Sequence, residues 1–488
     1  MREAALRMDA ETFRSLGHRL VDQIAGYLDA IPSGPVTRNE SPAEVREALD
    51  LTGPLPESGM DAARLLERTA QLLFEHSLFN AHPRFFGYIS GSPSPIGMLG
   101  ELLASAVNPN VGARALSPAA TEIEVQTVRW LAEFIGYPAH AGGLLVSGGN
   151  MANFVGFLAA RAAKAGGNIR EHGVAVAGRP LRVYTSTEAH TWVQKAADMT
   201  GLGTAAIRWI PTDARLRLDV VALRRQIEAD AAADDVPLIV VATAGSISTG
   251  AVDPLPAIAA ICKELGVWFH VDGAYGGFAA ALPEASDDLR GLGLADSVAV
   301  DPHKWLYAPL EAGCALVRDR KALRAAFAYH PAYYHFDEDA TNYLDYGPQN
   351  SRGFRALKVW LALRQVGSSG YLQMIGDDIR LSRHLHALVQ QHPDFEAMTQ
   401  HLSIATFRYV PRDLQQTPDT ESYLQRLNED LLNRVERSGE AFLSNAMVNG
   451  RFALRACIVN FRTSLADIEA LLPILARHGR DAERAVRS

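Results

Sequence analysis

Apolar and polar positions alternate along the chain in more than one way, and the changes between patterns divide it into regions. Near the N-terminus, apolar residues recur every three or four positions over Phe13–Leu28 and Ala62–Leu73, which predicts two amphipathic helices. A segment rich in proline and polar residues, from Ile31 to Gly59, connects them. Such helices cannot easily bury their apolar faces alone, so we expect them to pack on another domain or on a second subunit.

From about residue 83 to 366, short apolar runs alternate with helical patterns such as Asp219–Ala231 and Leu255–Leu265. Strands that alternate with helices predict a mainly parallel sheet with helices on both faces, which is an α/β fold. The runs that are typical of buried strands are Val183–Thr185, Ile207–Ile210, Leu238–Thr243, Val267–Val271, Ser297–Val300 and Cys314–Val317.

The last part of the chain has a different pattern. Ile379–Val389 and Thr420–Gly439 have helical spacing, whereas Ile404–Val410 and Ala453–Phe461 alternate as strands do. This mixture predicts a smaller α+β domain. We therefore predict an N-terminal helical segment over residues 1–82, a large α/β domain over 83–370 and a small C-terminal α+β domain over 371–488.

Composition and charge exclude several classes of protein. Of 488 residues, 48% are hydrophobic and 21% are charged, which is ordinary for a globular chain. The formal net charge of −8 lacks the basic footprint of a nucleic-acid-binding protein. Cys262, Cys314 and Cys457 are far apart, which argues against a disulfide framework or a metal site. Without a secretory signal or an apolar run near the ~18 residues that cross a bilayer, we expect a cytoplasmic protein that binds neither nucleic acid nor membrane.

Lys304 is the first candidate for chemistry. A single lysine is usually a solvated surface group, but this one lies between the apolar run Ser297–Val300 and Trp305-Leu306. We therefore expect it at the end of a buried strand. A lysine that is shielded from water loses its proton more easily, and its amine is then a nucleophile for an aldehyde.

Asp272 is the second candidate. It ends the apolar run Val267–Val271 and precedes the glycine-rich segment Gly273–Gly277. A buried carboxylate is costly unless it meets a positive partner, and a protonated pyridine nitrogen is one such partner. The alternative is a carboxylate that only caps the next helix or turn.

Two further turns follow apolar runs. Ser147–Asn150 lies between Leu144–Val146 and a helical stretch, so its backbone N–H groups could bind an anion, although glycine-rich turns before helices are common. His190 follows Val183–Thr185 and is either a solvated loop histidine or a ring that lies against a heteroaromatic ligand. Because α/β proteins bind ligands at the carboxyl ends of parallel strands, we expect all these turns at one crevice.

These motifs together resemble those of the pyridoxal-phosphate-dependent group II amino-acid decarboxylases, and most closely the aromatic-L-amino-acid branch. The resemblance implies pyridoxal 5′-phosphate (PLP) as cofactor and PLP fold type I. It also implies a homodimer with shared active sites, across which the N-terminal helices wrap. It extends from about residue 8 to 380, and the matching runs are Met8–Arg14, Thr243–Ser246, Gly250–Pro254, His270–Gly277 and Pro302–Trp305.

The resemblance also assigns roles to individual residues. It implies that Lys304 forms the Schiff base with PLP, that Asp272 keeps the pyridine nitrogen protonated, and that His190 stacks on the ring near the substrate carboxylate. The remaining residues expected at the cofactor are Gly149, Asn150, Ser246, Ala274 and His303.

The run Tyr329–Phe336 corresponds to the family's mobile catalytic loop. Tyr333 matches the tyrosine that protonates the α-carbon after decarboxylation. The alternative is a packed loop aromatic, with Tyr329 and Tyr334 as rivals for the role. A phenylalanine at this position would have indicated an aldehyde-forming enzyme, so the tyrosine favours production of the amine.

Pro83–Gly91 resembles the segment that lines the substrate side-chain pocket, where we expect Tyr88 and Ile89. Aromatic and small residues there favour a substrate that resembles tyrosine, phenylalanine or tryptophan. The sequence departs from the aromatic enzymes from Ile89 to Gly91, so the pocket shape is not predicted.

Three charged residues have no clear place in this scheme. Asp301 replaces the asparagine of the animal aromatic enzymes, and a carboxylate there would repel a phosphate unless it points away or meets an arginine. Arg352 and Arg355 are either anion ligands or partners in surface salt bridges.

The sequence therefore predicts PLP-dependent decarboxylation of an aromatic L-amino acid to the amine and CO₂, without a metal. Two alternatives stay open. One is decarboxylation of glutamate or aspartate by the same mechanism. The other is a different carbon–carbon lyase or an aminotransferase, because the fold alone does not determine the reaction.

Overall fold

A seven-stranded sheet forms the centre of the molecule in the computed structural model, which describes residues 4–330 and 340–487. Its order is β1-β7-β6-β5-β4-β2-β3, and of these strands only β7 runs antiparallel to its neighbours. The prediction of a mainly parallel sheet is confirmed. The strands are β1 (Gly142–Val146), β2 (Leu181–Ser186), β3 (Ile207–Ile210), β4 (Val236–Thr243), β5 (Trp268–Asp272), β6 (Ser297–Val300) and β7 (Gly313–Val317).

Helices precede the sheet, alternate with its strands and follow it. Before the sheet lie α1 (Ala10–Ala30), α2 (Pro42–Ala48), α3 (Ala62–Glu75), α4 (Pro95–Val107) and α5 (Pro118–Phe134). Between and after its strands lie α6 (Gly149–Lys164), α7 (Ile169–His172), α8 (Trp192–Met199), α9 (Val220–Ala232), α10 (Leu255–Leu265), α11 (Asp287–Arg290), α12 (Pro302–Trp305), α13 (Arg320–Phe327) and α14 (Ala356–Gln391).

The sheet is buried on both faces, which explains its continuous apolar runs. Along β4, Ile239 and Val241 join one apolar core with side chains of α6, α8 and α13. Val240 and Ala242 point the other way and join a second core with α5, α9, α10 and α14. Alternate residues of one strand thus fill two different cores, so the strand shows no alternation of apolar and polar residues.

A separate antiparallel sheet confirms the predicted small α+β unit. Its order is β10-β11-β9-β8, and α15 (Thr420–Ser438) and α16 (Leu465–Arg487) pack on it. The predicted strand at Ala453–Phe461 ends earlier, at Cys457. The strands are β8 (Phe395–His401), β9 (Ile404–Tyr409), β10 (Ser444–Val448) and β11 (Arg451–Cys457).

Helix α14 joins the two sheets. It contacts β8 and β9 as well as α4 and α5, and its backbone leaves helical geometry at Gly367 (φ 69°, ψ 168°). The domain boundaries predicted after residues 82 and 370 stay predictions.

The N-terminal helices pack against each other through a few aromatic rings. Tyr27 of α1 stacks on Phe74 of α3 with ring centroids 4.4 Å apart. Other apolar side chains of these helices are exposed, among them Phe13, Leu65 and Leu73, whereas Leu16 and Ala70 are buried. The apolar faces of α1 and α3 are therefore only partly covered by the described chain.

The described residues have three further features that bear on function. All three cysteines are free and buried. Among residues 4–330 and 340–487, no cluster of three His, Cys, Asp or Glu side chains has a geometry that could hold a metal ion. In the same residues, no helix is both long and apolar enough to cross a membrane.

Candidate active site

Lys304 lies on the short helix α12, directly after β6. Because β6 is buried at every position, the lysine stands at the carboxyl end of a buried strand, as its flanking sequence predicts. Its Nζ lies 3.0 Å from Oδ2 of Asp301. Asp301, whose role the sequence does not indicate, is therefore the charge partner of the candidate nucleophile Lys304.

The segment after Lys304 is hydrogen-bonded to a residue of α14. The Trp305 indole N–H and the Tyr307 hydroxyl both donate to Oδ2 of Asp378, at 2.9 Å and 2.7 Å. Burial raises the pKa of Asp378 to about 7. The Trp305 ring also stacks on Tyr275, with centroids 4.9 Å apart. These contacts fix the backbone from which Lys304 projects.

Asp272 is the last residue of β5 and is only 8% exposed. The Trp192 indole N–H donates to its Oδ2 at 2.7 Å, and the Ala274 backbone N–H donates to Oδ1 at 3.1 Å. No cation pairs with this carboxylate among the described residues. The side chain thus caps the following turn, and each oxygen still has a lone pair for another donor.

A chain of hydrogen bonds supports the strand beneath Asp272. His270 shares the sheet face of Asp272 because side chains two apart in a strand point the same way. Burial lowers the pKa of His270 to about 4, so its ring is neutral. Nε2–H donates to Oδ1 of Asn153 at 2.7 Å, and Nδ1 accepts from the Ser297 hydroxyl at 2.7 Å.

His190 lies in the turn between β2 and α8. Its Nδ1 accepts the backbone N–H of Trp192 at 3.2 Å, so the neutral ring carries its proton on Nε2. Desolvation lowers the pKa of His190, and the field of Lys304 lowers it further, whereas Asp272 raises it. The three predicted side chains are therefore electrostatic neighbours.

The turn between β1 and α6 is closely packed. Gly148 has φ +118°, which side chains rarely tolerate, and a Cβ on Gly149 would lie 2.6 Å from Asp301 Oδ2 and 2.9 Å from Ala274 Cβ. No side chain caps the start of α6 in the described chain. Its first N–H groups and its helix dipole are thus available to an anion.

His303 lies on the other side of this turn. Its Cε1 would be 3.3 Å from a Cβ on Gly148, and its Nδ1–H donates to the Ala312 carbonyl at 2.7 Å. Burial lowers the pKa of His303, although Asp301 opposes the shift. His303 is therefore a neutral side chain against the glycine turn.

Asn150 and Ser246 are placed differently from one another. Asn150 is exposed near the start of α6. Ser246 is buried, and its hydroxyl lies 2.9 Å from that of Thr249. It belongs to a separate turn whose Gly245 packs on Tyr275. The structure thus gathers most of the predicted cofactor residues around Lys304, with Ser246 on an adjoining turn.

The segment predicted to line the substrate pocket passes over Lys304. A Cβ on Gly91 would lie 2.5 Å from the Lys304 carbonyl oxygen, so only glycine allows this approach. Tyr88 is 58% exposed, and its ring centroid lies 5.8 Å from that of Phe442. Phe442 in turn stacks on Phe85 at 5.2 Å. Ile89 is partly buried and packs on the apolar core.

Tyr333 and its rival Tyr334 lie outside the described residues. The chain that leads to them is anchored, because the Arg170 guanidinium lies 4.1 Å from the centre of the Tyr329 ring. His330 Nε2 lies 3.0 Å from Asp345 Oδ1.

The uncertain arginines are engaged in ion pairs. Arg352 is buried and pairs with Glu124 at 2.5 Å, while Arg355 pairs with Glu311 at 2.9 Å. Sequence reasoning gave no role to Arg455. This buried residue donates to the Tyr88 carbonyl and to Ser444 Oγ, and its Nε and Nη2 lack a partner among the described residues. In the sequence, Arg455 is only an arginine within a predicted strand, which does not indicate a role in a site.

These features suit a heteroaromatic ligand that bears an aldehyde and a phosphate. The lysine supplies an amine for the aldehyde, and the carboxylate without a cation suits a protonated ring nitrogen. The glycine turn at the start of α6 suits a phosphate. The donor set present in the structure thus fits PLP.

Comparison with known proteins agrees with this fit. Residues 42–410 match the family described as the pyridoxal-dependent decarboxylase conserved domain. The aromatic-L-amino-acid decarboxylase of Bacillus atrophaeus is 34% identical over 468 residues, which cover 95% of this chain and 94% of that protein. The crystal structure of mouse CSAD has a TM-score of 0.91 at 28% identity, covering 97% of this chain and 99% of that chain. Oryza sativa TDC with PLP and tryptamine has a TM-score of 0.90 at 28% identity, covering 98% and 99%.

Proposed function

The protein belongs to the pyridoxal-dependent decarboxylase family and is a PLP-dependent carboxy-lyase, and we propose that it converts an aromatic L-amino acid to the amine and CO₂. The family makes an aminotransferase the weaker alternative. The substrate class rests on one observation, an aromatic cluster that includes the predicted pocket residue Tyr88. Phe85, Tyr88 and Phe442 form this cluster, and Gly91 holds their segment against the lysine backbone.

We assign the binding of PLP to the residues around Lys304. Its amine would hold the cofactor through the aldehyde, and Asp272 would accept a hydrogen bond from the protonated ring nitrogen. Gly149 and Asn150 offer backbone N–H groups to the phosphate, with His303 at the same turn and with Ser246 and Ala274 nearby. When bound, PLP supplies the electron sink for the decarboxylation.

His190 orients the substrate in this proposal. Because its Nδ1 accepts the Trp192 N–H, the neutral ring has its N–H donor at Nε2. That N–H group can donate a hydrogen bond to the substrate carboxylate. It would then orient the bond between Cα and the carboxylate, which must break. A fixed donor reduces the orientations available to the carboxylate before the reaction.

Tyr333 delivers a proton to the α-carbon in this proposal. One of its rivals, Tyr329, is 67% exposed, and its ring contacts the Arg170 guanidinium on α7. A tyrosine that returns this proton completes formation of the amine.

An acidic substrate is the second candidate, and Arg455 favours it. This buried guanidinium lies beside Tyr88 with two nitrogen atoms that lack a partner among the described residues. A second carboxylate on the substrate would satisfy them by a charge-assisted pair. The aromatic cluster and Arg455 thus support opposite substrate classes at the same wall of the site.

We also propose that two copies form a homodimer with shared active sites. On α4, Leu99, Leu102, Leu103 and Val107 are each more than half exposed. The outer faces of α1 and α3 add Phe13, Leu65 and Leu73. Apolar side chains that cluster on consecutive turns in this way mark protein interfaces. The reduced cysteines support a cytoplasmic location.

CO₂ release from a panel of L-amino acids tests the proposed substrate, with the products identified by mass. We expect amine from tryptophan, tyrosine or phenylalanine. Amine from glutamate or aspartate alone would instead support the Arg455 alternative. Two variants separate the alternatives, because Tyr88→Ala should raise KM for an aromatic substrate and Arg455→Gln should raise KM for an acidic one.

A further inference from the structure

A cleft of about 300 Å³ lies where loops of the seven-stranded sheet meet the four-stranded sheet. Its walls come from the turn after β3, the segment that follows β5, helix α14 and the turn between β8 and β9. None of the described residues that we assign to PLP or to the substrate lines this cleft. Clefts of this size at the junction of two structural units are typical places for small ligands.

Three guanidinium groups line the cleft, and they differ in how far their charge is matched. Arg217 is partly buried, and it pairs with Asp213 at 2.8 Å and with Asp288 at 3.0 Å. Arg215 and Arg383 are exposed, and neither enters an ion pair with a described carboxylate. The cleft therefore offers a ligand two cationic groups, one from the turn after β3 and one from α14.

His401 lines the cleft from the turn between β8 and β9. Desolvation lowers the pKa of His401, and the positive charges of Arg217, His386 and Arg215 lower it further. The ring is therefore neutral at neutral pH and adds no charge to the cleft, although it retains one N–H donor. Because the fields of two arginines from the β3 turn reach this ring, their charges act across the cleft.

A carboxylate and several apolar side chains complete the lining. Glu284, in the segment after β5, is exposed and enters no ion pair with a described cation. Two guanidinium groups alone would suit an inorganic anion such as phosphate, but a carboxylate in the same cleft repels it. An unpaired carboxylate and an apolar wall instead suit a ligand that has both an ammonium group and an apolar body. The apolar lining includes Val252, Leu282, Ile379 and Leu402.

We propose that this cleft binds an amino acid with an apolar side chain, at a site separate from Lys304. Arg215 and Arg383 bind its carboxylate, Glu284 binds its ammonium group, and the apolar wall covers its side chain. No described lysine lines the cleft, so nothing there can hold PLP through an amine. The site therefore recognises an amino acid without reacting with it.

A single turn separates this cleft from the residues around Lys304. Leu402 lines the cleft, and Ser403 follows it in the chain. The Ser403 hydroxyl lies 2.7 Å from the Tyr275 hydroxyl, and the Ser403 backbone N–H donates to the same oxygen at 3.0 Å. The Tyr275 ring stacks on Trp305, the residue after Lys304. A ligand in the cleft thus contacts the turn that holds Tyr275 in place.

Calorimetric titration of the PLP-loaded protein after reduction with borohydride tests the proposal. Reduction fixes the cofactor on its lysine, so an added amine cannot displace it. The probes are L-phenylalanine and 3-phenylpropanoate, which differ only by the amino group. We expect Arg383→Gln to weaken the binding of both probes roughly fivefold, the upper end for an exposed ion pair, and Glu284→Gln to weaken only that of phenylalanine. Any binding at the substrate pocket is the same in all these variants.

Arg224→Gln is the matched control, because Arg224 pairs with Glu264 and does not line the cleft, so both affinities should stay unchanged. Equal affinities in the wild-type protein, Arg383→Gln and Glu284→Gln would overturn the inference. A loss in Glu284→Gln that is the same for both probes would overturn it as well. These outcomes are independent of the proposed function, because decarboxylation at Lys304 uses none of the substituted residues.

Discussion

Trp192 and Asp272 are joined by a 2.7 Å hydrogen bond, although 80 residues separate them in the chain. The donor follows β2 and the acceptor ends β5, so the bond connects two turns at the carboxyl edge of the sheet. The Trp192 ring also meets His270 edge-on, with centroids 5.7 Å apart. The tryptophan thereby orients the carboxylate that we assign to the ring nitrogen of PLP.

Replacement of this donor should weaken cofactor binding. Trp192→Phe keeps an aromatic ring but leaves a buried carboxylate short of one donor, a loss of about 1.5–3 kcal/mol. We expect PLP affinity to fall roughly 10- to 150-fold, measured by equilibrium dialysis. Trp209→Phe is the control, because Trp209 is 40% exposed on β3. Equal affinity in the two variants would contradict the role of Trp192.

The glycine turn before α6 provides a second prediction. In Gly149→Ala the new Cβ would lie 2.6 Å from Asp301 Oδ2 and 2.9 Å from Ala274 Cβ, so the backbone must shift. We expect at least a tenfold loss of PLP affinity, or about 1.4 kcal/mol, with an unchanged circular dichroism spectrum. Gly26→Ala in α1 is the control, since no heavy atom lies within 4 Å of its added Cβ. Retained affinity in Gly149→Ala would show that the phosphate binds elsewhere.

Protonation of His190 should cause the loss of activity at acidic pH. Desolvation lowers its pKa from the ordinary 6.5, so the ring is neutral at neutral pH and gains a proton only in more acidic solution. We expect kcat/KM to stay level through neutral pH and to fall with a midpoint below 6.5. His190→Gln cannot titrate, so it should be slower and should lose this limb. If kcat/KM still falls at acidic pH in His190→Gln, the fall reflects the protonation of another group.

Tyr333 should decide which product forms. We expect Tyr333→Phe to divert product from amine toward aldehyde, because the α-carbon loses its proton donor. Mass analysis of the product mixture measures the ratio. Tyr329→Phe is the matched control, because it removes a tyrosine hydroxyl close in sequence to Tyr333 and keeps the ring that contacts Arg170. Unaltered amine yield in Tyr333→Phe would show that another residue delivers the proton.

The fold was predictable where burial leaves a clear pattern. Leu255–Leu265, Ile207–Ile210 and Ser297–Val300 have the same bounds in the structure as in the sequence prediction. Strands β8 and β10 were missed, and both form edges of the small sheet. Edge strands are half exposed, so their mixed residues do not form an apolar run.

The candidate site was predictable only in part. Lys304 and Asp272 stand out because each follows an apolar run where a charge is costly. The pairing of Lys304 with Asp301 and the bond from Trp192 depend on side-chain directions that no linear pattern contains. Arg455 was missed for a related reason, because an arginine on a short strand gives no sign of which way it points.

Lys304 is the residue to which we assign the binding of PLP. Reduction of the PLP-loaded protein with borohydride, followed by peptide mapping, measures this directly. We expect one pyridoxyl group per chain, located on the peptide that contains Lys304, and none in Lys304→Ala. A pyridoxyl group on another lysine, or an equal yield in Lys304→Ala, would contradict it.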